Sequence, residues 1–233
     1  MTGSRFRRLF TAAAFAALSA GLLLTLLQQI EVVPAILEAE TYEAAAGGAA
    51  HDHPAAADHG HGETEDGWQP EDGMERLLFT AAANLVIALG FALLLGAAIT
   101  LRGTDPDWRS GLAWGAAGFV VFYLAPTLGL PPELPGTEAA ALRDRQLWWT
   151  GAAAATAAGL ALLVFGRGWI ARAGGAALLA LPHLAGAPRP EVHQALAPEA
   201  LIDSFETAAL LTNAAFWLAL GGLYGFFHRR LSP

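Results

Sequence analysis

The sequence predicts an all-α polytopic integral membrane protein of six transmembrane helices, or five, around a His/Asp/Glu-rich extracytoplasmic loop. Three observations carry this. Of 233 residues, 55% are hydrophobic and only 15% charged, where a soluble domain of this length carries about 25% charged residues. The apolar residues fall in runs close to the ~20 needed to span a bilayer as helix. The charges gather between those runs, and the mean hydropathy is +0.42.

The first run, Leu9 to Ile30, follows Arg5, Arg7 and Arg8. A secretory signal has an apolar centre of about 7–15 residues; this run is longer and reads as an uncleaved helix. Residues 31–75 form the polar loop, within a single membrane domain of residues 1–233. Glu31 to Tyr42 is expected to extend the first helix only briefly, and Ala44 to Gly67 to be flexible. The second run is Arg76 to Leu101. Asp105-Pro106-Asp107 stops it and starts the next, Gly111 to Leu130, which Pro126 interrupts and Pro131-Pro132 closes. The fourth, Leu147 to Phe165, begins with Trp148-Trp149, a pair suited to the membrane interface. The fifth, Ala173 to Ala187, is short and carries Pro182-His183. The last is Glu206 to Phe227, ending His228-Arg229-Arg230.

All thirteen basic residues are arginine. With six spans, nine of them (Arg5, Arg7, Arg8, Arg102, Arg109, Arg167, Arg172, Arg229 and Arg230) fall on one side. The positive-inside rule makes that side cytoplasmic. If the fifth run does not cross, Arg229 and Arg230 move outside and the inside count drops to eight, Arg189 having moved inward. Six spans leave only Asp105 and Asp107 of the acids inside and an outer face rich in acid and histidine. Its field would concentrate cations.

Four of the seven histidines lie within eleven residues: His51, His53, His59 and His61, interleaved with Asp52 and Asp58. Neutral imidazole and carboxylate suit Co²⁺, Ni²⁺ or Zn²⁺. In an extended chain, side chains at i and i+2 point the same way, so each His-x-His pair is a candidate ligand pair. Ordering such a segment is entropically costly, which predicts weak, fast capture; an incidental low-complexity loop has the same composition. No cysteine is present, so thiolate sites are excluded. His183, beside a helix-opening proline, and Glu206 are further candidate ligands. Polar residues inside spans mark either a path or interhelical hydrogen-bond glue. Thr25, Gln28 and Gln29 lie on the first helix, Thr80 and Asn84 on the second, and Asn213 on the last. Gln29, Asn84 and Asn213 are the candidate path.

The chain has no phosphate-binding Gly-x-x-x-x-Gly-Lys motif, no His-Glu-x-x-His and no dinucleotide fingerprint. It is expected not to be an enzyme, to need no cofactor and to bind no nucleic acid; its expected partners are a divalent metal ion and the lipid bilayer.

Several stretches resemble the CbtA family of predicted cobalt transporter subunits. They are Arg5-Phe-Arg-Arg8, Ala39-Glu-Thr-Tyr-Glu43 before the His/Asp loop, and Trp68-Gln-Pro-Glu-Asp-Gly-Met-Glu-Arg76 leading to Asn84. They continue with Leu128-Gly-Leu-Pro-Pro-Glu-Leu-Pro-Gly136, Arg145-Gln-Leu-Trp-Trp149 and Leu181-Pro-His-Leu-x-Gly-x-Pro188. The resemblance implies cobalt import tied to cobalamin supply, a location in the bacterial inner membrane and about five membrane segments. It also implies a small single-helix companion, CbtB. Nickel or zinc transport, and a non-transporting metal-binding accessory or sensor, are the alternative functions.

Overall fold

A computed structural model describes residues 3–50, 70–190, 192 and 194–232. Among them the chain is all helix, with one isolated antiparallel bridge, Thr137 to Ala195. The helices are α1 (Gly3–Leu27), α2 (Val33–Ala50), α3 (Met74–Arg102), α4 (Trp108–Phe119), α5 (Ala125–Thr127), α6 (Leu142–Phe165), α7 (Gly168–Ala185) and α8 (Glu199–Arg230). A π-helical turn, Gln28–Val32, joins α1 to α2, and a second, Val120–Leu124, joins α4 to α5.

Both π turns sit the same distance before a proline. Pro34 has no N–H for the carbonyl of Ile30, and its ring would strike that carbonyl in a regular helix. Widening the preceding turn removes the clash: the Val33 N–H reaches back five residues to Gln28 O. Pro126 stands in the same relation to its turn, where the Ala125 N–H donates to Val120 O. The helix therefore absorbs each proline instead of ending at it.

The first consequence is a correction. The polar loop does not begin at residue 31. Arg5–Gly47 is one continuous apolar-to-acidic helix of 43 residues, about 65 Å at 1.5 Å per residue. That is roughly twice the ~30 Å hydrocarbon thickness, so α2 projects beyond a bilayer as an acidic mast carrying Glu38, Glu40 and Glu43, with Glu31 on the π turn at its base. Its base is fixed by Ala35 and Ala39, packed with Leu134, Ala197 and Phe205. The Arg76 guanidinium donates to the Glu40 carboxylate at 2.6 Å, holding it against the start of α3. The last helix also begins earlier than expected, at Glu199.

The core is built from small residues. Ala12, Ala13, Ala16, Ala17 and Ala20 form a buried stripe on α1 against Ala88 and Ala92 of α3 and Phe216, Leu220 and Tyr224 of α8. Without a hydrophobic force between helices in lipid, such close backbone approach supplies the packing. The tightest seam joins α4 to α8. A Cβ on Gly111 would collide with the carbonyl of Gly221, one on Gly115 with the carbonyl of Trp217, and one on Gly225 with the carbonyl of Asp107. The large residues point outward: Leu26, Val86, Leu94 and Leu211 are all exposed, as a lipid-facing surface requires.

Five helical stretches are long and apolar enough to cross a membrane: Arg5–Gly47, Met74–Arg102, Trp108–Thr127, Leu142–Phe165 and Glu199–Arg230. α7 is not among them, because Arg172, Pro182 and His183 dilute its 18 residues. It nevertheless carries the chain from one end of the bundle to the other. It leaves the end where Arg102 stacks on Phe165. It pairs antiparallel with α6 through Gly159 and Gly175. After it, Gln194 accepts from the Glu138 N–H beside the opposite end.

The α4–α8 seam makes a direct prediction. Gly221→Leu should abolish folded, monodisperse protein in mild detergent at temperatures where the wild type persists. Gly90→Ala, whose new Cβ meets open space, should equal or exceed the wild type in a fluorescence-detected melting series.

Candidate functional site

The two ends of the bundle have opposite character. At one end Asp105, in the turn between α3 and α4, ties three elements together. The Arg8 guanidinium donates to its Oδ1 at 2.9 Å, and His228 Nε2 lies 3.3 Å from the same atom. Arg8 also donates to Ser232 Oγ at 3.0 Å. Asp107 caps α4 by accepting from the Ser110 N–H at 2.8 Å. That hydrogen bond holds its carboxyl below the usual carboxylate range. Arg5, Arg7, Arg102, Arg229 and Arg230 surround this knot, as the six-span reading grouped them.

The opposite end carries the acids. The first π turn brings Glu31 and α2 brings Glu38, Glu40 and Glu43; the turn before α3 brings Glu71 and Asp72, and the first turn of α3 brings Glu75; α8 starts with Glu199, Asp203 and Glu206. Arginine is present here as a clamp. Arg76 holds Glu40 and Asp72, and Arg145 donates to Glu133 at 2.7 Å, fastening the start of α6 to the proline-rich loop. The segment that follows α2 contains His51, Asp52, His53, Asp58, His59 and His61, and lies outside the described residues.

Between the two ends, near the acidic one, is a polar layer. Asn84 of α3 is buried and donates from Nδ2 to Thr25 Oγ1 at 3.0 Å and to Gln28 Oε1 at 2.6 Å. Thr25 in turn donates to the carbonyl of Gly21. The cluster abuts the first π turn, which packs on α8. Asn213 of α8 returns its amide to its own helix, donating to Ala209 O at 2.9 Å. Gln29 is half-buried.

The structure thus separates the expected path residues. Asn84 is spent on bonds to Thr25 of α1 and Gln28 of the first π turn, and Asn213 on a bond within α8. Thr25 and Gln28 are the residues that Asn84 actually meets. Sequence reasoning missed Tyr123, half-buried on the second π turn. It also missed Thr156, fully buried on α6 with an unpartnered hydroxyl. Pro126, so close after Tyr123, was the available signal for the first.

His183 is exposed and meets the edge of Trp148 with ring centroids 6.1 Å apart. Among the described residues, no three His, Asp or Glu side chains stand close enough to hold a metal ion. His183 and Glu206 are therefore not part of a preformed cluster there. Toward the arginine end the core is mainly apolar, with Ala16, Ala92, Leu95, Ile99 and Leu220 packed together and the Tyr224 hydroxyl buried beside Gly96.

The family whose pattern this chain matches is described as "Probable cobalt transporter subunit (CbtA)", and the match covers residues 6–229. The chain belongs to the CbtA family. No curated protein and no solved structure matches it. Membership implies a probable cobalt transporter subunit, and a subunit implies protein partners; the five long apolar helices agree with a multi-pass membrane protein.

For a CbtA chain, the polar layer admits a test of glue against path. Asn84→Ala and Gln28→Ala should each lower the melting temperature. A double-mutant cycle should show coupling of about 0.6 kcal/mol and at most ~1.7, as for buried hydrogen bonds between membrane helices. Additive losses would remove Asn84 from the role of interhelical clamp.

Proposed function

We propose that this chain is the membrane-embedded subunit that carries Co²⁺ inward, from the acidic end to the arginine end. The observation that carries the reading is family membership joined to the segregation of charge. The arginine end is cytoplasmic under the positive-inside rule. α7 then counts as a sixth crossing, and both termini lie inside. The acidic mast and its neighbours face outward and gather cations by their field. His51, His53, His59 and His61, with Asp52 and Asp58, take the ion in weak, rapid exchange.

The ion next meets Glu206 and the oxygen atoms of the Thr25–Gln28–Asn84 layer at the π turns. His183, Gln29 and Asn213 are the further candidate ligands along the route. An inside-negative potential favours entry of a divalent cation by about 4.6 kcal/mol per 100 mV, twice the per-charge figure. The packed apolar core below requires the helices to part for the ion to pass. The partner is a small CbtB-like single-helix subunit, which would complete the route.

That same apolar core favours a second reading. A chain with no polar route to its cytoplasmic end would bind metal outside and act through a partner, as an accessory or sensor. The donor types suit nickel and zinc as well as cobalt.

Labelled Co²⁺ uptake separates these. Cells lacking their own cobalt importers should accumulate cobalt when they express this chain with its small partner. Changing all four loop histidines to Ala should reduce uptake most at low cobalt. Uptake that ignores the quadruple change would discard loop capture and keep the transporter. No uptake under any pairing, with the protein in the membrane, would replace import by the accessory reading. Parallel uptake of nickel and zinc sets the ion.

A further inference from the structure

α3 and α4 are consecutive, yet they barely touch, because the glycine seam draws α4 onto α8. α6 stands against the second π turn and α5 and leaves α3 uncovered. The three helices enclose a cleft of about 820 Å³ that opens sideways. Its walls are Leu94 and Ala98 of α3, Ala113 and Ala117 of α4, and Ala157 and Ala161 of α6.

The cleft has a floor and a mouth. The floor is a packed aromatic trio. Phe91 lies 5.1 Å from Phe122 and 4.7 Å from Trp217, and Phe122 stacks on Trp217 at 5.6 Å between centroids. The mouth is polar. Arg102 reaches from the end of α3 to lie 4.7 Å over the Phe165 ring of α6, with Thr104, Asp105 and Ser110 beside it. Asp105 is the acid at this mouth, and its carboxylate is already engaged by Arg8 and His228.

From Phe91 to Arg102, α3 rises about 16 Å. Half of the ~30 Å hydrocarbon layer is ~15 Å. The cleft is therefore one leaflet deep, apolar along its length, closed at mid-membrane and cationic at the headgroup level. A spanning partner helix would need the full thickness, and the aromatic floor stops it halfway.

We propose that this cleft binds an anionic phospholipid of the leaflet at the arginine-bearing end. One acyl chain lies between α3, α4 and α6, and the phosphate sits at Arg102. The α6–α7 hairpin meets the rest of the bundle chiefly through the second π turn and α5. A lipid in the cleft would bridge α6 to α3 at the other end of the hairpin. The site does not depend on the cobalt reading.

The test uses the full chain, purified in mild detergent, delipidated, and titrated without metal in native mass spectrometry. The probes are dioleoyl phosphatidylglycerol, dioleoyl phosphatidylcholine and glycerol 3-phosphate. One phosphatidylglycerol should be retained about fivefold more tightly than phosphatidylcholine, the preference expected from about 1 kcal/mol for one arginine near the surface. Glycerol 3-phosphate should not be retained, because it lacks the chain. Arg102→Gln should erase the headgroup preference and keep phosphatidylcholine binding. Ala161→Trp should reduce both lipids by filling the shaft, with circular dichroism and monodispersity reporting that the fold persists.

Equal retention of the two lipids by the wild type would overturn the proposal. So would an undiminished preference in Arg102→Gln, or full lipid binding in Ala161→Trp. Dimers lost in Ala161→Trp without any lipid preference would assign the cleft to a second copy of the chain instead.

Discussion

Backbone-to-backbone contact between α4 and α8 is the constraint on which the remaining arrangement rests. Hydrocarbon offers no hydrophobic drive for helices to associate, so dispersion at short range must hold them. The glycines at 111, 115, 221 and 225 let two backbones meet where any Cβ would collide. Once α4 is committed to α8, it cannot also cover α3, although only a short turn separates the two. α1 fills the other side of α8 with its alanine stripe, and α6 is left to pack on α7 through Gly159 and Gly175. The bundle is thus a tight group of α1, α3, α4 and α8 with a loosely attached hairpin, and the cleft at α3 follows from that division.

Charge then fixes the ends. Asp105 sits where the α3–α4 turn meets the start of α1 and the end of α8, and it accepts from Arg8 with His228 beside it. The pair is partly exposed, and exposed pairs are worth about 0–1 kcal/mol each. Its larger effect is positional: it gathers the start of α1, the α3–α4 turn and the end of α8 at one surface. At the other surface Arg76 and Arg145 clamp Glu40 and Glu133, so the acidic elements there are held in place and not merely repelled into solvent. The result is a molecule with a strong sign difference along its axis.

How far the sequence could be read follows from these forces. Run length, aromatic flanks and arginine placement were legible, because spanning a bilayer imposes them on composition directly. The helix at residues 31–50 was not. Pro34 and four glutamates read as the start of a loop, while a widened turn and good helix-forming alanines carry the helix through. The grouping of Thr25, Gln28 and Asn84 was half legible: their faces were apparent, but which helix Asn84 would meet depends on packing that no local pattern encodes. Asn213 looked equivalent to Asn84 and is not, since its amide closes on Ala209 of its own helix. The partnership of Gly111 and Gly115 with Gly221 and Gly225 likewise depends on packing that no local pattern encodes. The histidine ligands at 51–61 rest on sequence and chemistry alone, outside the described residues.

The two π turns are where the helices can bend most cheaply. A π turn before a proline is a place where the regular hydrogen-bond ladder is already broken, so bending there sacrifices fewer bonds than bending elsewhere. One turn lies beside Asn84, Thr25 and α8; the other carries Tyr123. Both belong to helices that continue into the apolar core, α1 with its alanine stripe and α4 with its glycine seam. The alanine stripe of α1 interlocks shallowly and can slide, whereas the backbone-to-backbone α4–α8 seam and the interdigitated aromatics Phe91, Phe122 and Trp217 cannot without repacking. Any opening toward the arginine end is therefore most cheaply made along α1, hinged at Gln28–Val32, with the aromatic trio and the α4–α8 seam remaining as the fixed wall.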